Sequence, residues 1–578
     1  MSITRRIQVV LLLVGVVALG VALYDVAIGG FHFSIGGIRV SSWEAYKPFR
    51  LGILAIIAAL WLHDRTAEPA QTSWQHLPQW APWIGAAAAA ISVGMAIHYG
   101  IFAAGGADAY GYVSQAASWA AGHVVTANPL AALEPSMGGA VAPLGYRLAP
   151  SPGGIVPIYP PGLPLAMAIA LALGGANAVY YIVPILGGLA VWCTYRLGAR
   201  VDRPLTGMIA AILLAFSPIF VFQSLEPMSD VPVTAWWMLA WLLASRPGTA
   251  AVLGSGLAVS AAVVTRPNLV PLALVLVIVV AAIGPRVRRL ALFAAGSIPG
   301  CLFIAWLNAR LYGSPLDSGY GSAEFLYAWS HWQPNLRHYF EWLIDLQSPG
   351  ILIGLIAPFV TGIRHRFAML AFAGALLACY LWYLVYDTWP FLRFLLPALP
   401  ILFILSSAVV VRLVERLPVA FRTALVFVLC TLLPIWYVVK SDSLKVFAIQ
   451  RAEHRYVVVG ESVGRSLPQN AIVLSVIQSG SVRLYGDRLT VRWDMLDPHQ
   501  LDTSVQALRS RGYTPYLLLE EWEVPLFQQR FDASPYARLD WPPVLEYRDI
   551  GVVRVYDFSD RERHLSGQAV ETRRVPTN

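Results

Sequence analysis

The sequence predicts a polytopic α-helical membrane protein of about 13 transmembrane helices, followed by a small C-terminal α/β domain. Three observations carry that expectation. The 578-residue chain is 57% hydrophobic and only 13% charged, with a mean hydropathy of +0.60, outside the range of water-soluble globular chains. Apolar runs of roughly 17–25 residues, long enough to cross a bilayer, recur from Ile7 to Val439. Beyond Ser441 the pattern changes to short strand-like runs and dense charge.

In chain order the expected spans are 7–28, 46–63, 82–103, 177–197, 204–223, 231–245, 250–265, 268–284, 289–308, 350–363, 367–386, 394–412 and 421–439. The first follows Thr4-Arg5-Arg6 and lacks a small-residue cleavage site, so it reads as an uncleaved span rather than a signal peptide. The apolar stretch 161–174 is short, opens on Tyr-Pro-Pro-Gly and closes on Gly-Gly, which suits an interfacial or re-entrant helix in the first large outer loop. With that choice and a cytoplasmic N-terminus, Arg5, Arg6, Arg65, Arg196, Arg200, Arg203 and Arg246 share the cytoplasmic side. Arg286, Arg288, Arg289, Arg364, Arg366, Arg412, Arg416 and Arg422 join them. Arg39, Lys47 and Arg50 are the exception. The outer loops then collect acidic and aromatic residues, and the tail ends outside.

Four regions follow: residues 1–81 with two additional helices and a cytoplasmic loop, 82–440 as the main membrane domain, 441–560 as a soluble extracytoplasmic domain, and 561–578 as a disordered tail. In the soluble domain Ala471–Ile477, Leu489–Trp493, Tyr516–Leu519 and Val552–Phe558 read as strands, with helices at Leu501–Ser510 and Pro525–Phe531. From Ser441 to Asn578, 17 Lys and Arg balance 18 Asp and Glu, so the net charge of +8 belongs to the membrane loops and points to topology, not to nucleic acid. Cys193, Cys301, Cys379 and Cys430 all lie in apolar runs, so no disulfide framework is indicated.

The chemistry-bearing residues lie in the outer loops. Asp108 closes the Gly105-Gly106-Ala107-Asp108 turn, where a carboxylate can cap a helix or act as a general base at the membrane surface. Tyr110 follows it. Tyr159-Pro160-Pro161-Gly162 ends the same loop, Glu226-Pro227-Met228-Ser229-Asp230 forms the next outer turn, and Thr265-Arg266-Pro267-Asn268 opens the one after. Arg266 and Arg393 are outward cations beside spans, suited to hold a phosphate or to snorkel to the interface. His123, His331 and His338 share the outer side without ligand-like spacing.

This ordered set, over roughly residues 82–410, resembles the membrane-embedded glycosyltransferases of the GT-C type, namely the protein O-mannosyltransferases, the lipid A aminoarabinose transferases and bacterial family 39-like members. The Leu311-Tyr312-Gly313-Ser314-Pro315 and Leu392-Arg393-Phe394-Leu395-Leu396-Pro397 segments also look like those of bacterial members. Two extra spans precede the core here, and the acidic doublet of the eukaryotic enzymes is reduced to Ala107-Asp108-Ala109. The resemblance implies a GT-C-like fold in a bacterial inner membrane. It implies inverting transfer of a hexosyl or pentosyl group from a polyprenyl-phosphate donor to a hydroxyl of a lipid, glycan or protein acceptor. Asp108 would be the base, with Asp230 or the less well placed Glu226 as the second acidic residue. Arg266, Arg393, Tyr110, Tyr159 and Asn268 would bind the donor, and a divalent metal has a place in such chemistry. A lipid flippase, a surface-glycan polymerase or ligase, and a sensor with a ligand-binding tail are the rival classes. The charge-free cores of spans 204–223, 268–284 and 394–411 and the lack of an inverted repeat speak against a transporter.

Overall fold

The computed structural model describes residues 3–28, 30–35, 38–44, 46–64, 72–414 and 419–575; Arg65 and Arg416 of the expected cytoplasmic loops lie outside them. Among the described residues five helices are long and apolar enough to cross a membrane, or seven if each of two bent pairs counts as one span. The chain is a multi-pass membrane protein.

Several expected spans are shorter or broken, each for a local reason. Span 204–223 is two helices, Pro204–Phe216 and Pro218–Leu225, bent by 57°. Ser217 between them is extended because the ring of Pro218 excludes it from the helical region. The expected span 350–363 is a 3-10 helix, Pro349–Phe359, turned by 105° from the helix before it. Ser348, at φ 63 and again ahead of a proline, makes that corner.

Spans 231–245, 250–265, 268–284 and 367–386 become the apolar helices Asp230–Ala244, Thr249–Thr265, Leu272–Ala281 and Arg366–Leu381. At 1.5 Å per residue a 15-residue helix covers only about 22 Å, less than the ~30 Å hydrocarbon thickness. Irregular backbone at membrane depth is tolerated only where protein or a cavity satisfies it, and these helices end around the cavities described below. Gly162–Gly174 is a helix of 13 residues, too short to cross.

The first two helices, Ile3–Ile28 and Tyr46–Asp64, pack on each other and are joined by a β-hairpin absent from the expectations, Phe31–Ile35 with Ile38–Ser42. The main core is a cluster running through Leu205–Ala215, Asp230–Ala244 and Leu399–Val409, with Trp237, Trp241, Phe372 and Phe403 fully buried.

The C-terminal region holds a six-stranded sheet. Leu489–Val491 forms one edge and pairs parallel with Ala471–Leu474, which pairs parallel in turn with Thr514–Glu520. Val552–Asp557 and Leu545–Arg548 continue it antiparallel. Within the tail expected to be disordered, Asp560–Leu565 is helical and Arg573–Arg574 pairs with Leu545–Arg548. The polar composition hid that pairing, because an edge strand needs only backbone groups. The domain is not a free appendage: Leu130, Leu133, Met137 and Val141, between the helices Asp108–Ala120 and Gly162–Gly174, share one apolar cluster with Ile472, Leu474, Leu517 and Phe527.

Candidate active site

Two glycine-lined turns set the site. Asp108 begins the helix Asp108–Ala120, but Ala107 occupies the N-cap position and makes no side-chain cap hydrogen bond, so capping is not the task of this carboxylate. It instead meets Arg393, whose Nη1 donates to Asp108 Oδ2 at 3.2 Å. Gly162, which opens Gly162–Gly174, lies against the chain just before Arg266; a Cβ there would sit 2.6 Å from the backbone N of Thr265. Only a glycine lets the Tyr-Pro-Pro-Gly turn come that close.

Arg266 is fully engaged. Its Nη2 donates to Asp230 Oδ1 at 2.6 Å, its Nη1 to the Tyr380 hydroxyl at 3.1 Å and its Nε to Ser229 Oγ at 3.2 Å. The Tyr112 hydroxyl donates to the same Ser229 Oγ at 2.9 Å. Arg393 keeps more of its capacity: its Nε is buried without a hydrogen-bond partner, and its guanidinium lies over the rings of Phe391 and Phe394.

Two cavities meet at the Asp108–Arg393 pair. The first, of about 440 Å³, is lined by Asp108, Tyr112, Tyr159, Arg266, Asn268, Tyr320 and Arg393 among others. The second, of about 310 Å³, is lined by Asp108, Gln223, Glu226, Phe391, Arg393 and Glu453 among others. The residues common to both are Asp108, Met228 and Arg393. The Asp108 side chain is 32% exposed, so it can reach a substrate, whereas that of Asp230 is 0% exposed behind Arg266.

The sequence-predicted residues therefore divide. Asp108, Arg266, Arg393, Tyr159 and Asn268 line the first cavity, and Glu226 lines the second. Asp230 opens into neither; it is the counter-ion that fixes Arg266. It does not cap the helix it opens either, because Ser229 holds the N-cap position. Tyr110 is a correction as well: it is buried against Tyr146 and beneath Gly480 of the C-terminal domain, away from both cavities. Sequence reasoning missed Tyr112, Ser229, Gln223, Tyr320, Tyr380 and Glu453. The Tyr380, Tyr383, Tyr386 spacing of three residues was a signal for an aromatic wall.

Burial raises the Tyr159 phenol well above its usual range, helped by the neighbouring Asp108 carboxylate, so it stays a proton donor facing that carboxylate. Glu226 keeps some surface in the second cavity, yet burial pushes its carboxyl up to about 8, against the pull of Arg393 and with help from Glu453 and Asp108. Among the described residues no three His, Cys, Asp or Glu side chains gather where a metal ion could be held. Asp108 and Asp230 are paired with guanidinium groups instead, so this donor set does not fit a divalent cation.

No family model and no curated protein sequence matches the chain. Its likeness is to solved structures. An Archaeoglobus fulgidus oligosaccharyltransferase tethered with an acceptor peptide aligns at TM-score 0.54 and 13% identity, over 83% of this chain and 74% of that one. ArnT from Cupriavidus metallidurans bound to undecaprenyl phosphate aligns at 0.50 and 12% identity, over 84% and 98%. The same ArnT in the apo state gives 0.51 at 12% identity, over 81% and 97%. At such identities the likeness is one of fold. The chain shares the fold of these membrane transferase structures.

Proposed function

We propose that this protein is a glycosyltransferase that moves a hexosyl or pentosyl group from a polyprenyl-phosphate carrier to an acceptor hydroxyl, with inversion, on the extracytoplasmic face of a bacterial inner membrane. The observation that carries the reading is the Asp108–Arg393 pair standing in the wall shared by the two cavities. The donor phosphate belongs in the first cavity, where Arg266 and Arg393 supply positive charge and Arg393 has an uncommitted Nε. The acceptor enters from the second. Its oxygen attacks the anomeric carbon as Asp108 takes the hydroxyl proton; the sugar–phosphate C–O bond breaks, and its electron pair leaves on the phosphate. Attack from the side opposite the leaving group inverts the centre.

The arginine links the two halves of the step. Once Asp108 is protonated, Arg393 loses its anionic partner at the moment the phosphate gains charge, so the same guanidinium stabilises the leaving group. Asp230 acts as a positioning residue through Arg266. The ArnT neighbour is bound to undecaprenyl phosphate and the oligosaccharyltransferase neighbour carries an acceptor peptide, which supports a lipid-phosphate donor and a separate acceptor site here.

The test is Asp108→Asn, assayed as consumption of a lipid-linked sugar by the purified chain. General base catalysis contributes roughly 10²–10⁴-fold, and turnover is expected to fall by that much while the variant stays folded and retains polyprenyl phosphate. Undiminished turnover removes Asp108 as the base. Relocation of the lipid without consumption identifies a flippase instead.

A further inference from the structure

At the end of the bundle away from the cavities, where the helix Asp230–Ala244 stops, three turns are fixed against one another. Arg200, in the last turn of the helix Ile182–Val201, donates from Nε to the Ser245 carbonyl at 2.9 Å. Arg289 holds the next two carbonyls of that second turn, those of Arg246 at 3.0 Å and Pro247 at 2.7 Å. The Arg364 N–H donates to the Val201 carbonyl at 3.0 Å, and Arg412 holds the Gly362 carbonyl of the same third turn at 3.0 Å. The outcome is a gathering of like charge, with the Arg200 guanidinium in electrostatic reach of Arg246, Arg364 and Arg196. Among the described residues none of these four forms an ion pair, and the side chains of Arg246 and Arg364 make no hydrogen bond. Asp202 does not relieve them, because Arg412 takes it at 2.6 Å and Arg203 at 3.3 Å. Arginine does not give up its proton, so the repulsion lasts until an anion enters. The positive-inside preference accounts for the number of arginines in such loops. It does not account for three turns fixed so that their arginines meet.

The depth of the cluster is marked independently. A Cβ on Gly85 would meet the Tyr195 ring and one on Gly188 the Val93 side chain, which sets Thr72–His98 antiparallel to Ile182–Val201. In that register Trp80 and Trp83, 61% and 72% exposed, stand level with residues 197–200. Exposed tryptophans belong at headgroup depth. From Arg196, whose guanidinium lies 5.5 Å over the Trp192 ring, the same helix face continues through Trp192 and Leu189 to the exposed Ile185. We infer that this cluster binds the phosphate of an anionic phospholipid, with Arg200, Arg246 and Arg364 around the headgroup and Arg196 at its rim. Guanidinium forks match phosphate oxygens in pairs, and basic pockets between membrane helices hold anionic headgroups. A free phosphate would bring the same charge, but only a lipid also uses the apolar face from Trp192 to Ile185, along which an acyl chain lies.

Native mass spectrometry of the delipidated full chain, titrated with phosphatidylglycerol, phosphatidylcholine or inorganic phosphate, tests this. Phosphatidylglycerol should be retained at least about tenfold more tightly than phosphatidylcholine, and millimolar inorganic phosphate should not displace it. An arginine beside an anionic headgroup contributes about fivefold in affinity. Arg246→Gln combined with Arg364→Gln should therefore weaken retention by about 25-fold, while the melting temperature without lipid holds or rises as the repulsion is relieved. Arg286→Gln combined with Arg288→Gln is the matched control. It removes the same charge from exposed positions in the helix Arg286–Tyr312, neither of them among the charges acting on Arg200, and should leave retention within about twofold. If the first double variant does not fold, Arg364→Gln alone, at an exposed position, carries the test with about a fivefold loss. Equal losses from the two double variants would mean diffuse attraction to a basic surface and no site. Equal retention of phosphatidylcholine overturns the inference as well, and so does displacement by inorganic phosphate, which would identify a free anion as the occupant.

Discussion

A carboxyl pushed up to about 8 carries its proton at neutral pH, and Glu226 is such a group. Unfolded, it returns to its ordinary value of 4.5, so between those values the native state binds a proton that the unfolded chain does not. Stability from this group is therefore fully present below about pH 4.5 and is lost as pH rises to about 8. Glu226→Gln keeps the shape of the neutral acid and cannot ionise. The variant should match the wild type in melting temperature near pH 4.5, gain on it steadily to about pH 8, and gain nothing beyond. A difference that stays flat across that range would mean Glu226 is ionised in the folded protein. Residue by residue, the sequence carried part of this site. Asp108 and Arg393 were legible as candidates because one closes a glycine turn and the other stands between aromatics in the same set of loops. Tyr110 was misread and Tyr112 missed for one reason: two residues apart on a helix they point about 200° apart. Only Gly480, far along the chain and packed on the Tyr110 ring, decides which of the two faces away from the cavity.

The elements show the same limit from the other side. Hydropathy located the apolar helices but could not say that several stop short of a full crossing, because their ends are held by contacts distant in sequence. The expected span 204–223 runs straight through Pro218, and the 57° and 105° bends at the two broken pairs depend on packing. Glycine positions turn this into a measurement. At Gly162 an added methyl would fall 2.6 Å from the Thr265 backbone, so either Gly162–Gly174 or the strand of chain carrying Arg266 must shift. Displacements of about 1 Å at a reacting centre cost on the order of 10²-fold. Gly162→Ala is expected to lower turnover by about 10- to 100-fold with donor affinity reduced alongside. Gly94 is the control: it lies within Thr72–His98 with open space where a Cβ would go. Gly94→Ala should leave turnover unchanged and raise stability by up to about 1 kcal/mol, the helix propensity difference between the two residues. Equal effects from both substitutions would show that close approach at Gly162 has no bearing on the site.

Across the whole molecule the two ends of the helix bundle have opposite characters. At one end Arg200 Nε donates to the Ser245 carbonyl at 2.9 Å, Arg412 pairs with Asp202 at 2.6 Å and Arg289 Nη1 reaches the Pro247 carbonyl at 2.7 Å. At the other end lie both cavities, and the helix Asp230–Ala244 runs from the site to the arginine end, about 22 Å away. The C-terminal domain is tied to the cavity end. The Tyr485 hydroxyl accepts from the Ala104 N–H at 2.7 Å, the Tyr456 ring packs on Gly105, and Arg483 Nη2 donates to the Val141 carbonyl at 3.0 Å. These contacts grip the turn that presents Asp108, so domain and site must share one side of the membrane, a coupling no hydropathy profile contains. The positive-inside rule predicts that the arginine end faces the cytoplasm. Dual reporters that are active on only one side of the membrane test this when placed in the exposed turn at Pro152, in the turn at Gly284 and after Val575. The first and third should report the exoplasmic side, and the second the cytoplasm. A cytoplasmic signal after Val575 with an exoplasmic one at Pro152 would break the contact between domain and loop. Cytoplasmic signals from both would keep that contact but turn Asp108 away from an exoplasmic donor, and the proposed direction of transfer would fall with it.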